Sequence, residues 1–161
     1  MMAFRRRIYH SPSELWQDLR FIAARRGVVR QAVRGEPISP AFCERLMMAV
    51  TAVNGCRYCS YLHSRLALRA GVSQDELQAL LRGTVPTSVP AEETVAILYA
   101  QYWADCNARP DPEATYHLVA TYGQDKADAI RVLLRMIRAG NLAGNSWDYL
   151  LYRLSFGRLG Q

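Results

Sequence analysis

Apolar residues recur along the chain at three- and four-residue intervals, and most of these runs open on a helix-start signal. Ser11-Pro12-Ser13-Glu14 is a capping box with proline at the first helical position, followed by Leu15, Leu19 and Ile22. This helix is expected to end near Arg26-Gly27, leaving residues 28–38, with Gly35 and Pro37, as a connection holding at most one short helical turn. Ser39-Pro40 opens a second helix by the same chemistry, with Phe42, Leu46, Met47, Val50 and Val53 as its buried stripe. Asn54-Gly55 interrupts it. A third helix is expected from about Cys56 to Ala70, stopping at Gly71, a residue able to take a left-handed cap. Ser73-Gln74-Asp75-Glu76 opens a short helix through Leu77, Leu80 and Leu81. Pro90-Ala91-Glu92-Glu93 places two acids in a first turn, where the helix dipole favours them, and Val95, Leu98, Tyr99 and Tyr102 are read as the buried face that follows. Asp111-Pro112-Glu113 starts a helix that ends at Tyr122-Gly123. Ala127, Ile130, Leu133, Leu134 and Ile137 mark the next, and a separate last helix is expected to carry Trp147, Leu150, Leu151 and Leu154. No stretch sustains strand alternation. The pattern predicts one all-α domain over residues 1–161, with about seven or eight helices.

Composition narrows the function classes. Half of the 161 residues are hydrophobic, enough for a core without disulfides, yet no apolar run approaches the ~18 residues that cross a bilayer. The formal charge is +6, carried almost wholly by arginine, with Lys126 the single lysine. The clusters Arg5-Arg6-Arg7 and Arg25-Arg26 are short and do not interleave with aromatics, so neither nucleic acid nor a membrane is expected as a partner. Met1 to Arg7 begins basic, but Ile8-Tyr9-His10-Ser11-Pro12 supplies no apolar leader, and a cytoplasmic protein is expected. In that reducing compartment four cysteines are not a disulfide framework; they are catalytic, metal-binding or core residues.

One segment concentrates the chemistry. Cys56-Arg57-Tyr58-Cys59 is a Cys-x-x-Cys pair, His63 follows the second cysteine by four residues, and Glu44 lies on the preceding helix. Two thiols at this gap can close a small disulfide. At a helix start, unsatisfied N–H groups and the positive dipole end stabilise a thiolate. Cys59 and His63 share one helical face, so the imidazole is expected to accept the Cys59 proton and make Cys59 the more acidic thiol. A carboxylate from the neighbouring helix, Glu44, would orient the histidine. Three readings remain open on these residues alone: a redox-active dithiol, a metal site of Cys56, Cys59 and His63 with Glu44, or two buried cysteines beside a capping histidine.

Glu44, Cys56-Arg57-Tyr58-Cys59 and His63, with Leu46-Met47-Met48-Ala49-Val50 before them and Ala67-Leu68-Arg69-Ala70-Gly71-Val72-Ser73 after, resemble the signature of the AhpD-like, carboxymuconolactone decarboxylase superfamily. The resemblance covers roughly residues 39–83, and Gly140-Asn141-Leu142-Ala143-Gly144-Asn145-Ser146-Trp147-Asp148 echoes it more weakly. It implies an all-helical fold that assembles into homo-oligomers, trimers or hexamers. Its AhpD branch implies hydroperoxide reduction by the dithiol alone, without a cofactor, and reduction of the disulfide by a thiol or lipoylated protein. Carried over by position, Cys59 is the peroxidatic thiol, Cys56 the resolving thiol, and Glu44 with His63 the proton relay. This chain departs from the pattern at Tyr58, where AhpD has a second histidine; a phenol with a pKa near ~10 does not relay protons at neutral pH as imidazole does. The decarboxylase branch lacks the cysteine pair, so its activity is not implied. The competing function is a non-catalytic metal- or partner-binding module built on Cys56, Cys59 and His63.

The remaining candidates are read as structural. His10 and His117 have no spaced partners, and Cys43 and Cys106 are expected to be small buried hydrophobes. Asn141 and Asn145, one turn apart, are expected to satisfy buried backbone or cap the last helix. Tyr99, Tyr102, Trp103, Trp147, Tyr149 and Tyr152 fit core or oligomer contacts.

Overall fold

The computed structural model describes residues 4–160, so Met1 to Ala3 of the basic start lie outside the described residues. Eight helices are present and no strands among the described residues: α1 (Pro12–Ala24), α2 (Arg26–Val33), α3 (Pro40–Asn54), α4 (Arg57–Arg69), α5 (Gln74–Leu81), α6 (Ala91–Asp105), α7 (Pro112–Tyr122) and α8 (Gln124–Leu154). The fold is all-α. No helix is long and apolar enough to cross a membrane among the described residues.

The N-caps follow the sequence chemistry. Ser11, Ser39, Ser73 and Asp111 each accept the N–H of the residue three positions on, and proline occupies the first turn of α1, α3 and α7. Gly55 closes α3 in the left-handed conformation at φ 75°, with its N–H on Thr51 O. That turn folds α4 back against α3 and sets the Cys-x-x-Cys segment directly after it.

α3 is the central element and packs against α4, α5, α6 and α8. Phe42, Leu46, Met48, Ala49 and Val50 are all but inaccessible to solvent. Arg45 lies among them, bonding Glu76 through Nε at 2.5 Å and Glu93 through Nη1 at 2.9 Å, which ties α3 to α5 and α6. A second buried charge, Asp18, is held by Arg135, Arg138 and the Tyr9 hydroxyl, and docks α1 on α8.

Four expectations are corrected. Residues 26–33 form the full helix α2 rather than a connection, its buried Ala32 lying in the core cluster. The two expected C-terminal helices are one 31-residue helix, α8, about 46 Å long at 1.5 Å per residue. Gly140 and Gly144 lie inside it against the cysteine segment: a Cβ at Gly144 would crowd Cys56 and Tyr58, while one at Gly140 would make only an ordinary contact with Cys59. On α6 the buried face is Ala96, Ile97, Tyr99, Ala100, Trp103 and Ala104, while Leu98 and Tyr102 are exposed. The alanines at four-residue spacing let α6 approach α3 closely, which a large-residue stripe would not. Cys43 and Cys106 are only part-buried rather than fully buried.

Candidate functional site

The site forms where the α3–α4 turn meets the middle of α8. Cys56 precedes α4 as its N-cap, and its Sγ accepts the Cys59 N–H at 3.4 Å. The two sulfurs are hydrogen-bonded to each other at 3.0 Å. No disulfide joins the two cysteines in this structure. Cys56 is inaccessible to solvent, at 0% exposure, while Cys59 is part-exposed. Glu44, on α3, reaches His63, on α4, with 2.8 Å between Oε2 and Nδ1, so the carboxylate and imidazole expected to pair are in contact.

The acidity is the reverse of the sequence expectation. The Cys59 hydrogen bond, opposed by burial and helped by the N–H groups of Cys59 and Tyr58, pulls the Cys56 thiol down to about 6. Cys59 is pushed up, first by its hydrogen bond to Cys56 and then by burial, with Asn141 opposing. The physical reason is position. Only the N-cap sulfur faces the open N–H groups of the helix start, so it takes the negative charge and the shared proton stays on Cys59. His63 does not supply the expected bias: its Nδ1 engages Glu44, and the sulfur bonded to Cys59 is that of Cys56.

Tyr58, in the position of the second relay histidine, turns away from the sulfurs. Its hydroxyl donates to Asp148 Oδ1 at 2.6 Å, and the Arg57 guanidinium bonds both groups. Asp148 itself has no solvent exposure and also pairs with Arg6. Burial alone would raise its pKa, but the bonds from Tyr58, Arg6 and Arg57 together hold it below the ordinary carboxylate range.

α8 supplies the other wall. A Cβ built on Gly140 would lie 3.8 Å from Cys59 Sγ, and one on Gly144 would lie 3.2 Å from Cys56 Sγ and from the Tyr58 ring. Between them Asn141 bonds Asn54 and Thr51. Asn145 donates to the backbone carbonyls of Arg7 and Asn54, at 2.8 Å each. The expected service to buried backbone therefore falls to Asn145, whereas neither asparagine caps a helix, since α8 continues to Leu154.

The sequence model of the carboxymuconolactone decarboxylase family matches residues 20–102, just over half of the 161-residue chain. The chain belongs to this family. No curated protein and no solved structure matches it. The region matched to the carboxymuconolactone decarboxylase family includes Glu44, Cys56, Cys59 and His63, but ends before Asn141, Gly144 and Asp148. Arg6 was met in the sequence only as part of the Arg5-Arg6-Arg7 cluster and Asp148 only as the end of the Gly140–Asp148 echo; a buried acid met from three directions leaves no spacing signal. The Gly-Asn repeat at 140–141 and 144–145 was the available signal for the α8 wall.

Among the described residues no group of three or more His, Cys, Asp and Glu side chains is arranged to hold a metal ion. Cys56, Cys59 and His63 are close in sequence, but the imidazole is directed to Glu44 and the sulfurs to each other.

Proposed function

We propose that this protein is a thiol-dependent oxidoreductase that reduces a hydroperoxide through Cys56 and Cys59. The observation that carries the reading is the 3.0 Å contact between the two sulfurs at the start of α4. They need approach by only about 1 Å to reach disulfide length. Cys59 is the part-exposed sulfur and is assigned the attack; Cys56, shielded and acidic, is assigned the resolution.

As Cys59 attacks the terminal peroxide oxygen, its proton passes along the existing hydrogen bond to Cys56. The S–O bond forms, the O–O bond breaks, and the alkoxide leaves. It takes a proton to become the alcohol, and Cys59 is left as a sulfenic acid. Cys56, again a thiolate, attacks the Cys59 sulfur; the S–S bond forms and hydroxide departs as water. The reaction consumes one proton beyond those the pair and the peroxide carry, and His63, held by Glu44, is the group assigned to deliver it. Two electrons leave the dithiol and two enter the peroxide, so no cofactor is required. A dithiol, free or as a lipoylated protein, then restores the pair by exchange. Such turnover belongs to a compartment that keeps thiols reduced, the cytoplasm.

The test is peroxide treatment of Cys56→Ser and Cys59→Ser, followed by a sulfenic-acid probe and mass spectrometry. Cys56→Ser is expected to trap an adduct on Cys59 and to lose turnover; Cys59→Ser is expected to lose peroxide consumption. An adduct on Cys56 in Cys59→Ser and none on Cys59 in Cys56→Ser reverses the roles. If neither sulfur reacts faster than a free thiol, the peroxidase reading fails.

A further inference from the structure

A cleft of about 620 Å³ opens between α1, the residue that joins it to α2, and α8. That volume falls within the ~300–1,000 Å³ of small-molecule sites. Trp16 and Arg20 line it from one row of α1, and Gln17 and Phe21 from the next, each pair four residues apart. Arg25, between α1 and α2, and Arg135, from α8, complete it. The cleft thus presents three guanidinium groups and two aromatic rings, and no carboxylate, thiol or imidazole lines it.

Two of the cations are already held in place. Arg25 lies over the Phe21 ring, its Cζ 3.8 Å from the centroid. Arg135 lies 5.0 Å from the same centroid and 5.3 Å from that of Trp103, and its Nη1 donates to Asp18 Oδ1 at 2.7 Å. Groups positioned before binding lower the ordering cost a ligand must overcome. Asp18 does not neutralise the cleft: it is wholly buried and already accepts from Arg135, Arg138 and the Tyr9 hydroxyl. Among the described residues no carboxylate forms an ion pair with Arg20 or Arg25. Beside these cations the Trp16 side chain is turned to solvent, at 65% exposure.

We propose that this cleft binds a small phosphorylated ligand with a planar ring, of the nucleoside diphosphate class. The ring stacks on Trp16, and the phosphates meet Arg20, Arg25 and Arg135. Three guanidiniums gathered in one cleft call for more than the single charge of a carboxylate, and each planar fork can bond two phosphate oxygens at once. The exposed indole supplies what the cations lack, a flat apolar face for a ring. With no nucleophile or acid–base group in its lining, the cleft binds its ligand without transforming it, and the proposal stands apart from the dithiol chemistry.

The experiment is isothermal titration calorimetry of the whole protein with ADP, with inorganic pyrophosphate as the charge without the ring and adenosine as the ring without the charge. ADP is expected to bind saturably, and about tenfold or more tighter than either. The double variant Arg20→Ala, Arg25→Ala is expected to weaken ADP binding about tenfold or more, as loss of charge-assisted bonds does. Trp16→Ala is expected to weaken ADP about fivefold or more and to leave pyrophosphate within about twofold. Arg135 is left intact, because it also secures Asp18. No saturable binding of ADP at millimolar concentration overturns the proposal. So does an unchanged affinity in the double arginine variant, or pyrophosphate binding as tightly as ADP. Should a variant fail to fold, the indole N–H signal of Trp16 in the ¹⁵N-labelled parent protein decides: it is expected to shift as ADP is added, and an unmoved signal overturns the proposal.

Discussion

Gly140 and Gly144 are one turn apart on the same face of one helix, yet alanine should have opposite effects at the two positions. In a helix interior the glycine-to-alanine change is worth about 1 kcal/mol in favour of the folded state. At Gly140 the new methyl would meet Cys59 Sγ at 3.8 Å, an ordinary contact, so the full gain is expected. For a domain of this size that raises the melting temperature by roughly 2–4 °C. At Gly144 the methyl would meet Cys56 Sγ and the Tyr58 ring, both at 3.2 Å. Neither can retreat freely: the sulfur is held by the helix start and Cys59, and the ring by its bond to Asp148. Overpacking of this kind costs ~1–3 kcal/mol, which cancels or exceeds the helix gain. Thermal melts of the reduced proteins should therefore rank Gly140→Ala above the parent and Gly144→Ala level with or below it. Thiolate absorbance should also show Cys56 less acidic in Gly144→Ala, because its sulfur is displaced from the N–H groups. Equal stabilisation by both alanines would refute the close approach of α8 to the cysteine turn.

Other outcomes follow from the same geometry. Cys56 ionises near 6 in the fold against 9.0 for an ordinary thiol, so between those values the folded state binds fewer protons than the unfolded. The stability of the reduced protein relative to Cys56→Ser should accordingly rise with pH across that window and be lost as pH falls through about 6, as urea unfolding at several pH values would show. Arg45→Ala should cost about 3–5 kcal/mol by leaving Glu76 and Glu93 buried without their cation, again read by urea unfolding. Asp148→Ala should remove the acceptor that Tyr58, Arg6 and Arg57 share, lowering the melting temperature in a thermal melt. The exposed Trp147, Leu150 and Leu154 recur along one face of α8, and Tyr61 and Leu62 are exposed on α4. A homo-oligomer should appear in light scattering, and Leu154→Arg should shift it toward the monomer.

The local parts of this fold were written plainly in the chain. The serine and aspartate caps, the prolines in first turns and the glycine after Asn54 act within a few residues, and they delimit α3, α4, α5 and α7 nearly to the residue. The Glu44–His63 contact was accessible for the same reason, since a tight turn brings neighbouring helices together. What resisted reading depends on distant packing. Gly144 has no evident role inside a helix until Cys56 and Tyr58 are placed against it. Leu98 and Tyr102 look like core until the small face of α6 is seen to be the one that packs. The acidity of the thiols was misassigned because Cys56 stands outside the helix as its cap, a one-residue distinction that decides which sulfur meets the free N–H groups.

The arrangement of α8 also bears on how the protein is made. The two thiols belong to a turn completed early in translation, but Asn141, Gly144 and Asp148 leave the ribosome some eighty to ninety residues later. An emerging chain thus displays its cysteines well before the groups that crowd, orient and screen them exist. The docking of α8 adds the Gly144 wall over Cys56 and the Asp148 acceptor for Tyr58 to a thiol whose acidity is already set within the α3–α4 turn.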